Sequence, residues 1–246
     1  VLFRSNAQFG LAHADQIVMA RNEGIELVAV ATAMQGSPQA FMFHEGHGIT
    51  DFEELNGREV FIQPGIIYWE YLKSQYDLSN VVELAYTGQH VNFIPKVESV
   101  TQAFLTSEPY FMELENVPVE SKLISDAGYD PYNVVLYVTK DYLAENEATV
   151  KAFTTAFIEG WNLYKDSYEE INKLVQKDNP DIELASLKFE SEAQEQFVYG
   201  MDAAENGVGF MTEQRWATLI EQLHDLELLD EVFDAKDIFT TDYLVQ

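Results

Sequence analysis

The sequence predicts an α/β fold with a helical C-terminal portion, and three observations carry that expectation. From Gln8 to Ala33, short β-rich apolar runs flank a helix-length segment. At Glu59 to Gln63 a strand breaks at Pro64-Gly65 straight into a helix. Beyond Thr139 the apolar residues recur only at helical spacing.

In order along the chain, Gln8 to Ala12 reads as a short buried strand, Asp15 as the N-cap of a helix through Ala20, and Gly24 as its stop. Leu27 to Ala33 is the next strand, so strand, helix and strand follow with short connections, the pattern of a βαβ unit with parallel pairing. Ala40 to Phe43 is extended. It leads through the polar His44-Glu45-Gly46-His47-Gly48 to a short helix capped by Thr50 or Asp51 and ended at Gly57. The helix after Pro64-Gly65 carries Tyr68, Trp69, Tyr71 and Leu72. Val81 to Ala85 is strand-like, a helix-like stretch starts at Pro95, and Ala103 to Thr106 runs as a strand into a helix opened by Ser107-Glu108-Pro109, with Ser107 or Glu108 as cap. Val134 to Thr139 is the last strong strand. Val150, Phe153, Phe157, Trp161 and Tyr164 mark a helix. Phe197 to Ala204 and the set Trp216, Leu219, Ile220, Leu223 mark two more, separated at Gly207-Val208-Gly209.

At 246 residues and 47% hydrophobic, the chain can bury a sizeable core in one large or two modest domains. Its 14 Lys plus Arg against 42 Asp plus Glu give a formal net charge of −28, a field that repels phosphate backbones and anionic headgroups, so nucleic acid is excluded as a partner. The absence of cysteine removes disulfides, thiolate metal sites and thiol nucleophiles together. No run approaches the length of a spanning helix, and no basic, apolar leader appears.

Four segments, AQFGLAHADQIVMARNEGIELVAVA, ITDFEELNGREVFIQPG, VTQAFLTSEPYFMEL and FTTDYL, occur in an order and spacing that resembles the periplasmic binding proteins for sulfonates, nitrate, taurine and thiamine precursors. The likeness covers nearly all of the chain. It implies a two-lobed type II periplasmic-binding-protein-like fold with two crossover hinge strands, a ligand in the interlobe cleft, and closure on binding. On this sequence the crossovers fall near Phe41 to His44 and near Val134 to Val138. Residues 1–44 and 135–246 then form lobe one and residues 45–134 lobe two. Members of this family begin with a further strand, helix and strand that this sequence lacks. It starts Val1-Leu2-Phe3-Arg4-Ser5 without an initiator Met, so an N-terminal truncation is expected, with any export signal or lipid anchor lost alongside. The resemblance further implies a monomeric receptor in the periplasm or on the outer face of the cell membrane. Its partners would be a small-molecule ligand and an ABC permease; it would need no cofactor and hold no catalytic residue.

In an open α/β sheet, ligands sit beyond the carboxyl ends of strands, where helix N-termini present free amides. Three such corners are visible: Ala12 to Asp15, Pro64 to Trp69, and Thr106 to Tyr110. The family's sulfonate and nitrate binders place hydroxyl side chains at the second corner. Here it reads Pro64-Gly65-Ile66-Ile67-Tyr68-Trp69 with no Ser or Thr, so a simple oxyanion is disfavoured. An aromatic heterocycle, a thiamine-pyrimidine precursor or a flavin, fits better. Tyr68, Trp69 and Tyr110 supply stacking faces and Glu108 accepts hydrogen bonds from ring amino groups. Candidate ligand-binding residues are therefore His13, Asp15, Tyr68, Trp69, Tyr86, His90, Ser107, Glu108 and Tyr110. Each has a plain structural alternative: aromatics at helical spacing build cores, Glu108, Asp15 and His13 cap helices, and Tyr86 and His90 line a solvated loop. His44 and His47 invite a metal reading, but the glycines beside them argue for a loop and no third ligand lies nearby.

Enzyme readings have less support. The family's relative among enzymes, the yeast-type pyrimidine synthase, depends on a cysteine-rich motif that a chain without cysteine cannot carry. There is no G-x-S-x-G elbow or phosphate loop, and HEGHG sets its two histidines three apart where the zincin motif needs four. A sensor domain of a membrane receptor on the same two lobes is a further alternative.

Overall fold

A computed structural model of the protein describes residues 7–244, so the Val1–Ser5 start lies outside the described residues. In chain order the elements are β1 (Phe9–Ala12), α1 (Ala14–Asn22), β2 (Leu27–Met34), β3 (Gln39–His44), β4 (Glu59–Ile62), α2 (Ile67–Gln75), β5 (Val82–Ala85), β6 (Val100–Phe104), α3 (Glu108–Leu114), β7 (Val119–Leu123), β8 (Asn133–Thr139), α4 (Lys140–Glu145), α5 (Glu147–Asp178), α6 (Leu184–Val198), α7 (Ala203–Asn206) and α8 (Glu213–Asp225). They divide into two compact units. The first holds the chain up to Ser37, Pro131–Asn179 and Gln194 onward; the second holds Pro38–Asp130 and Pro180–Ala193. Among the described residues no helix is long and apolar enough to cross a membrane.

The first unit is built on a three-stranded sheet of order β1-β8-β2. All eight residues of β2 are buried, as its unbroken apolar run requires for a strand covered on both faces. β1 and β2 do run the same way, as the βαβ pattern implies. They do not pair with each other, however, because β8 lies between them antiparallel to both. The expected parallel pairing is thus corrected by a strand more than 100 residues away in sequence, which no local pattern reveals. The β2–β8 register shifts between Ala29 and Ala31, and there the Ala29 backbone turns to a third partner, donating to Ile238 O at 2.8 Å and accepting from Thr240 N at 2.9 Å. Val28, Val30, Ala31, Leu136, Val138 and Val150 form the core here, with Phe9, Phe157, Tyr243 and Leu244 packed against them. Farther along, Trp216 of α8 is fully buried between Tyr132 and Phe239.

The second unit carries a five-stranded mixed sheet of order β5-β4-β6-β3-β7. β4 pairs parallel with β5 and β6, while β3 pairs antiparallel with β6 and β7. Met42, Phe61, Phe93, Ala103 and Met112 form its core against Leu84, Tyr86, Ile94, Val117 and Val119. Asp51 caps the short 3-10 helix Phe52–Leu55, as expected, by accepting from Glu53 N at 3.1 Å.

Several local expectations change. α1 begins at Ala14 with His13, not Asp15, at the N-cap; the His13 N–H donates to Gln16 Oε1 at 3.3 Å and Asp15 sits in the first turn. The stretch after Pro95 is a series of turns, and β6 starts at Val100, earlier than Ala103. β7 was not anticipated; it is short, its three middle residues Glu120, Ser121 and Lys122 are all polar, and it belongs to a sheet edge. Phe197 to Ala204 is not one helix: α6 ends at Val198 and α7 starts at Ala203.

Candidate functional site

Corner by corner, the structure treats the three strand-to-helix junctions differently. At the first, in the first unit, the backbone amides are consumed internally: Ala14 N donates to Tyr132 O at 3.0 Å, and His13 O accepts from Gln16 N and Ile17 N. His13 and Asp15 therefore act first in helix geometry.

At the second corner, Gly65 takes the left-handed conformation (φ 75°) that a glycine supplies without steric cost, and Ile66 stands at the α2 N-cap with no side-chain bond. Gln63 N donates to the buried Gln102 Oε1 at 2.5 Å, tying the corner to β6. Tyr68 and Trp69 are each 2% exposed and both meet Phe41 edge-on, at 6.2 and 5.9 Å between ring centroids. The expectation that these two rings offer open stacking faces is corrected: consecutive residues at the start of α2 are both driven onto Phe41. Trp69 belongs to the core, with Lys73 Nζ 6.0 Å from its ring centre.

The third corner gathers chemistry. Ser107 is the N-cap residue of α3 but its side chain makes no capping bond. Glu108 instead reaches back along the chain, its Oε2 accepting from Phe104 N at 2.7 Å. The other oxygen, Oε1, accepts the Tyr86 hydroxyl at 3.3 Å. Tyr86 follows β5, and its ring lies 5.6 Å from that of His90. Tyr68, from the second corner, is close enough for both Tyr86 and Glu108 to act on its ionisation. Four of the nine candidates, Tyr68, Tyr86, His90 and Glu108, are thus one cluster formed from α2, the β5–β6 connection and α3. Tyr110, one turn into α3, turns toward the 180–193 segment of its unit, with its ring 5.6 Å from that of Phe189.

Phe93 is the member that sequence reading overlooked. It is 1% exposed, T-shaped to His90 at 6.4 Å, and stacked on His44 at 4.5 Å. The His90 carbonyl accepts from both Phe93 N and Ile94 N, so this ring fixes the turn that presents the imidazole. A buried aromatic three residues after the histidine was the available signal. His44, considered above for metal, has its Nε2 3.3 Å from Phe93 O, and His47 Nδ1 lies 2.9 Å from Glu98 Oε1.

Electrostatics sharpen the cluster. Burial, then the Glu108 charge, pushes the Tyr86 phenol up to about 12, and burial foremost raises Tyr68 as well. Both hydroxyls therefore stay protonated at neutral pH. Burial holds His90 below the usual imidazole range, against the opposing pull of Glu108. The unit's basic residues are engaged elsewhere: Arg58 with His47 O, Lys73 with Glu70 and Glu83, Lys96 with Glu59, Lys122 with Asp126, and Lys188 with Glu192. The result is one carboxylate with two neutral hydroxyls and a neutral imidazole, a surface that accepts N–H donors and repels anions.

Comparison with known proteins fits this architecture. A riboflavin-binding protein, RibY, of Chloroflexus aurantiacus is 22% identical over 251 aligned positions, covering 98% of this chain and 71% of that protein. The periplasmic aliphatic sulphonate-binding protein SsuA of Escherichia coli superposes with a TM-score of 0.72 at 14% identity, covering 98% of this chain and 78% of that one. A desulfurization enzyme, DszB, shares the fold at a TM-score of 0.56 and 12% identity, with coverage of 96% and 83%. The fold is thus that of the periplasmic binding proteins. The family model described as NMT1/THI5 like matches residues 2–171, and the chain belongs to that family.

Proposed function

We propose that this chain is an extracytoplasmic solute-binding protein of an ABC importer. Its second unit would recognise an aromatic heterocycle bearing N–H donors, of the thiamine-pyrimidine or flavin kind. The observation that carries this reading is Glu108: a carboxylate with a phenol and a backbone amide already on it, no basic side chain bonded to it, and an acceptor capacity of about four lone-pair sites that those two donors leave unfilled. The relative named for riboflavin supports the same class of ligand. Sulphonate binding, named for the SsuA structure, asks for positive donors, whereas this cluster presents a carboxylate that already takes the Tyr86 hydroxyl and has no basic side chain bonded to it.

The two compact units are read as the two lobes, and Ser107 and Tyr110 of the second unit stand as further contacts. The implied partner is a membrane permease and the implied location the periplasm or outer cell surface, with the receptor acting as a monomer. A thermal-shift screen against aminopyrimidines, riboflavin, polyamines and alkanesulfonates tests the reading. A heterocycle at about 100 times its Kd should stabilise the protein by about 2.7 kcal/mol, and stabilisation by sulfonates alone overturns it. Because an enzyme shares the fold, the ligand is also recovered and analysed after incubation: a receptor returns it unaltered.

A further inference from the structure

β7 closes one edge of the five-stranded sheet, at the far side from β5 and the Tyr86 that follows it. Its partner is β3 alone, antiparallel, with Phe43 opposite Glu120 and Phe41 opposite Lys122. Just beyond the strands, in the same register, Glu45 N donates to Pro118 O at 3.0 Å. Hydrogen-bonded pairs recur at every second position of an antiparallel ladder, so Glu120 and Lys122 spend their backbone groups on β3. Val119 and Ser121 therefore turn both N–H and C=O out of the sheet edge, and Leu123 turns out its N–H. All three residues are only partly buried, and nothing among the described residues pairs with these groups. Side chains alternate across a sheet, so Glu120 and Lys122 share the face of Phe43 and Phe41. There a cavity of about 540 Å³ lies beside the edge, with Phe43, Gly46, Gly48, Glu120, Lys122 and Asp126 in its lining. The glycines leave it room: a methyl group added at Gly48 would lie 2.6 Å from Glu120 Oε2. Lys122 is committed, its Nζ 3.6 Å from Asp126 Oδ2 and 5.1 Å from the centre of the Phe52 ring. Glu120 is exposed and has no cationic partner among the described residues.

We propose that the β7 edge is a docking site for an extended, basic peptide segment of a partner protein, which adds to the sheet as a further strand. The outward groups of Val119, Ser121 and Leu123 hold the incoming backbone by main-chain hydrogen bonds, the part of strand addition that is indifferent to sequence. Selection falls to the residue opposite Glu120. Its side chain lies on the cavity face against an unpaired carboxylate, so Lys or Arg gains an ion pair there and an acidic residue is repelled. The whole chain favours the same occupant. A second copy pairing β7 on β7 about Ser121 would set each Glu120 against the other Lys122, but exposed ion pairs of that kind contribute little. It would also bring together two chains of net charge −28, whereas a basic segment is drawn to that charge.

The probe is a fluorescein-labelled heptapeptide, Lys-Val-Thr-Val-Lys-Val-Thr, titrated into the full chain and followed by fluorescence anisotropy. It should bind at low salt and more weakly as salt is raised. The same peptide methylated on the alternate backbone nitrogens that would face β7 should not bind. Glu120→Gln should lower affinity by about 1.5- to fivefold, the yield of one exposed ion pair. Ser121→Pro should abolish binding in a folded protein, because the N–H it removes faces outward, where an edge strand tolerates proline. Hydrogen exchange on the wild type gives a readout that needs no variant. The amides of Val119, Ser121 and Leu123 should exchange fast in the free protein and slowly with peptide bound, while those of Glu120 and Lys122 stay slow throughout. No binding, equal binding of the methylated peptide, undiminished binding by folded Ser121→Pro, or protection that does not follow this alternation overturns the proposal. Protection of the same amides without peptide, together with a doubled mass, also overturns it by making a second copy the occupant. The heterocycle reading, which rests on Glu108, stands or falls apart from these outcomes.

Discussion

Two junctions of the same local grammar, Ala12 to Asp15 in the first unit and Thr106 to Tyr110 in the second, end up with opposite characters. At the first, the amides that open α1 are spent on Tyr132 O, His13 O and Gln16 Oε1, and the corner serves to hold β1, β8 and α1 together. At the second, Ser107 makes no side-chain cap and Glu108 leaves the helix start to hold Phe104 N and the Tyr86 hydroxyl. A strand running into a helix is therefore only an opportunity for binding. What decides its use is whether the polar groups are closed by neighbours or arranged around a charge that still has capacity.

That contrast can be tested by breaking each unit at its most buried ring. Trp216→Ala in the first and Phe41→Ala in the second each remove a fully buried aromatic and should cost about 3–5 kcal/mol by urea unfolding. Phe41→Ala should also weaken heterocycle binding, because Tyr68 packs on that ring.

Next in size is the charge at the active corner. Glu108→Gln replaces a charge-assisted acceptor, so ligand affinity should fall by about 1.5–3 kcal/mol in calorimetry. The matching change at the quiet corner, Asp15→Asn, should leave affinity nearly unaltered.

A smaller effect is expected where the first unit carries strain. Val134 sits at φ 54°, a conformation that a β-branched residue rarely adopts, at the start of β8. Val134→Gly should raise stability by about 1 kcal/mol in thermal unfolding, whereas the same substitution at Val135, buried and outside that region, should destabilise.

The finest comparison is between two phenols. Tyr86 in the second unit and Tyr199 in the first are both pushed up to about 12, each by burial first, then by Glu108 for Tyr86 and by Tyr164 and nearby carboxylates for Tyr199. Because the unfolded chain ionises first, the stability tied to each is complete below pH 10 and is lost as pH climbs toward 12. In an ultraviolet titration, Glu108→Gln should draw the Tyr86 ionisation back toward the ordinary value and leave Tyr199 where it is.

Much of this was legible in the sequence where the signal is local. The apolar run of β2, the Pro64-Gly65 break before α2, the Asp51 cap and the amphipathic spacing of α8 all stand as read. What escaped depended on distant partners. β8 wedges between β1 and β2 from far along the chain, and β7 has too weak an alternation to announce an edge strand. Of the candidate residues, Glu108, Tyr86, His90 and Tyr68 come together, yet His90 is held by the turn built on Phe93, and that turn lies in a stretch whose Pro95 and polar residues read as helix start or loop. Trp69 could not be told from a ligand platform, since a period of 3.6 gives the buried direction of a helix and not what fills it.

The position of β8 also bears on the order in which the chain assembles. As the polypeptide leaves the ribosome, β3 to β7 emerge consecutively, and every strand of the five-stranded sheet is present once Leu123 has been made. β1 and β2 are synthesised earlier but must wait, unpaired, for residues 133–139 to be inserted between them. Of these two sheets the one whose strands begin earlier is therefore completed later, and until then β1 and β2 lack the strand that joins them, an interval in which apolar strands meet wrong partners.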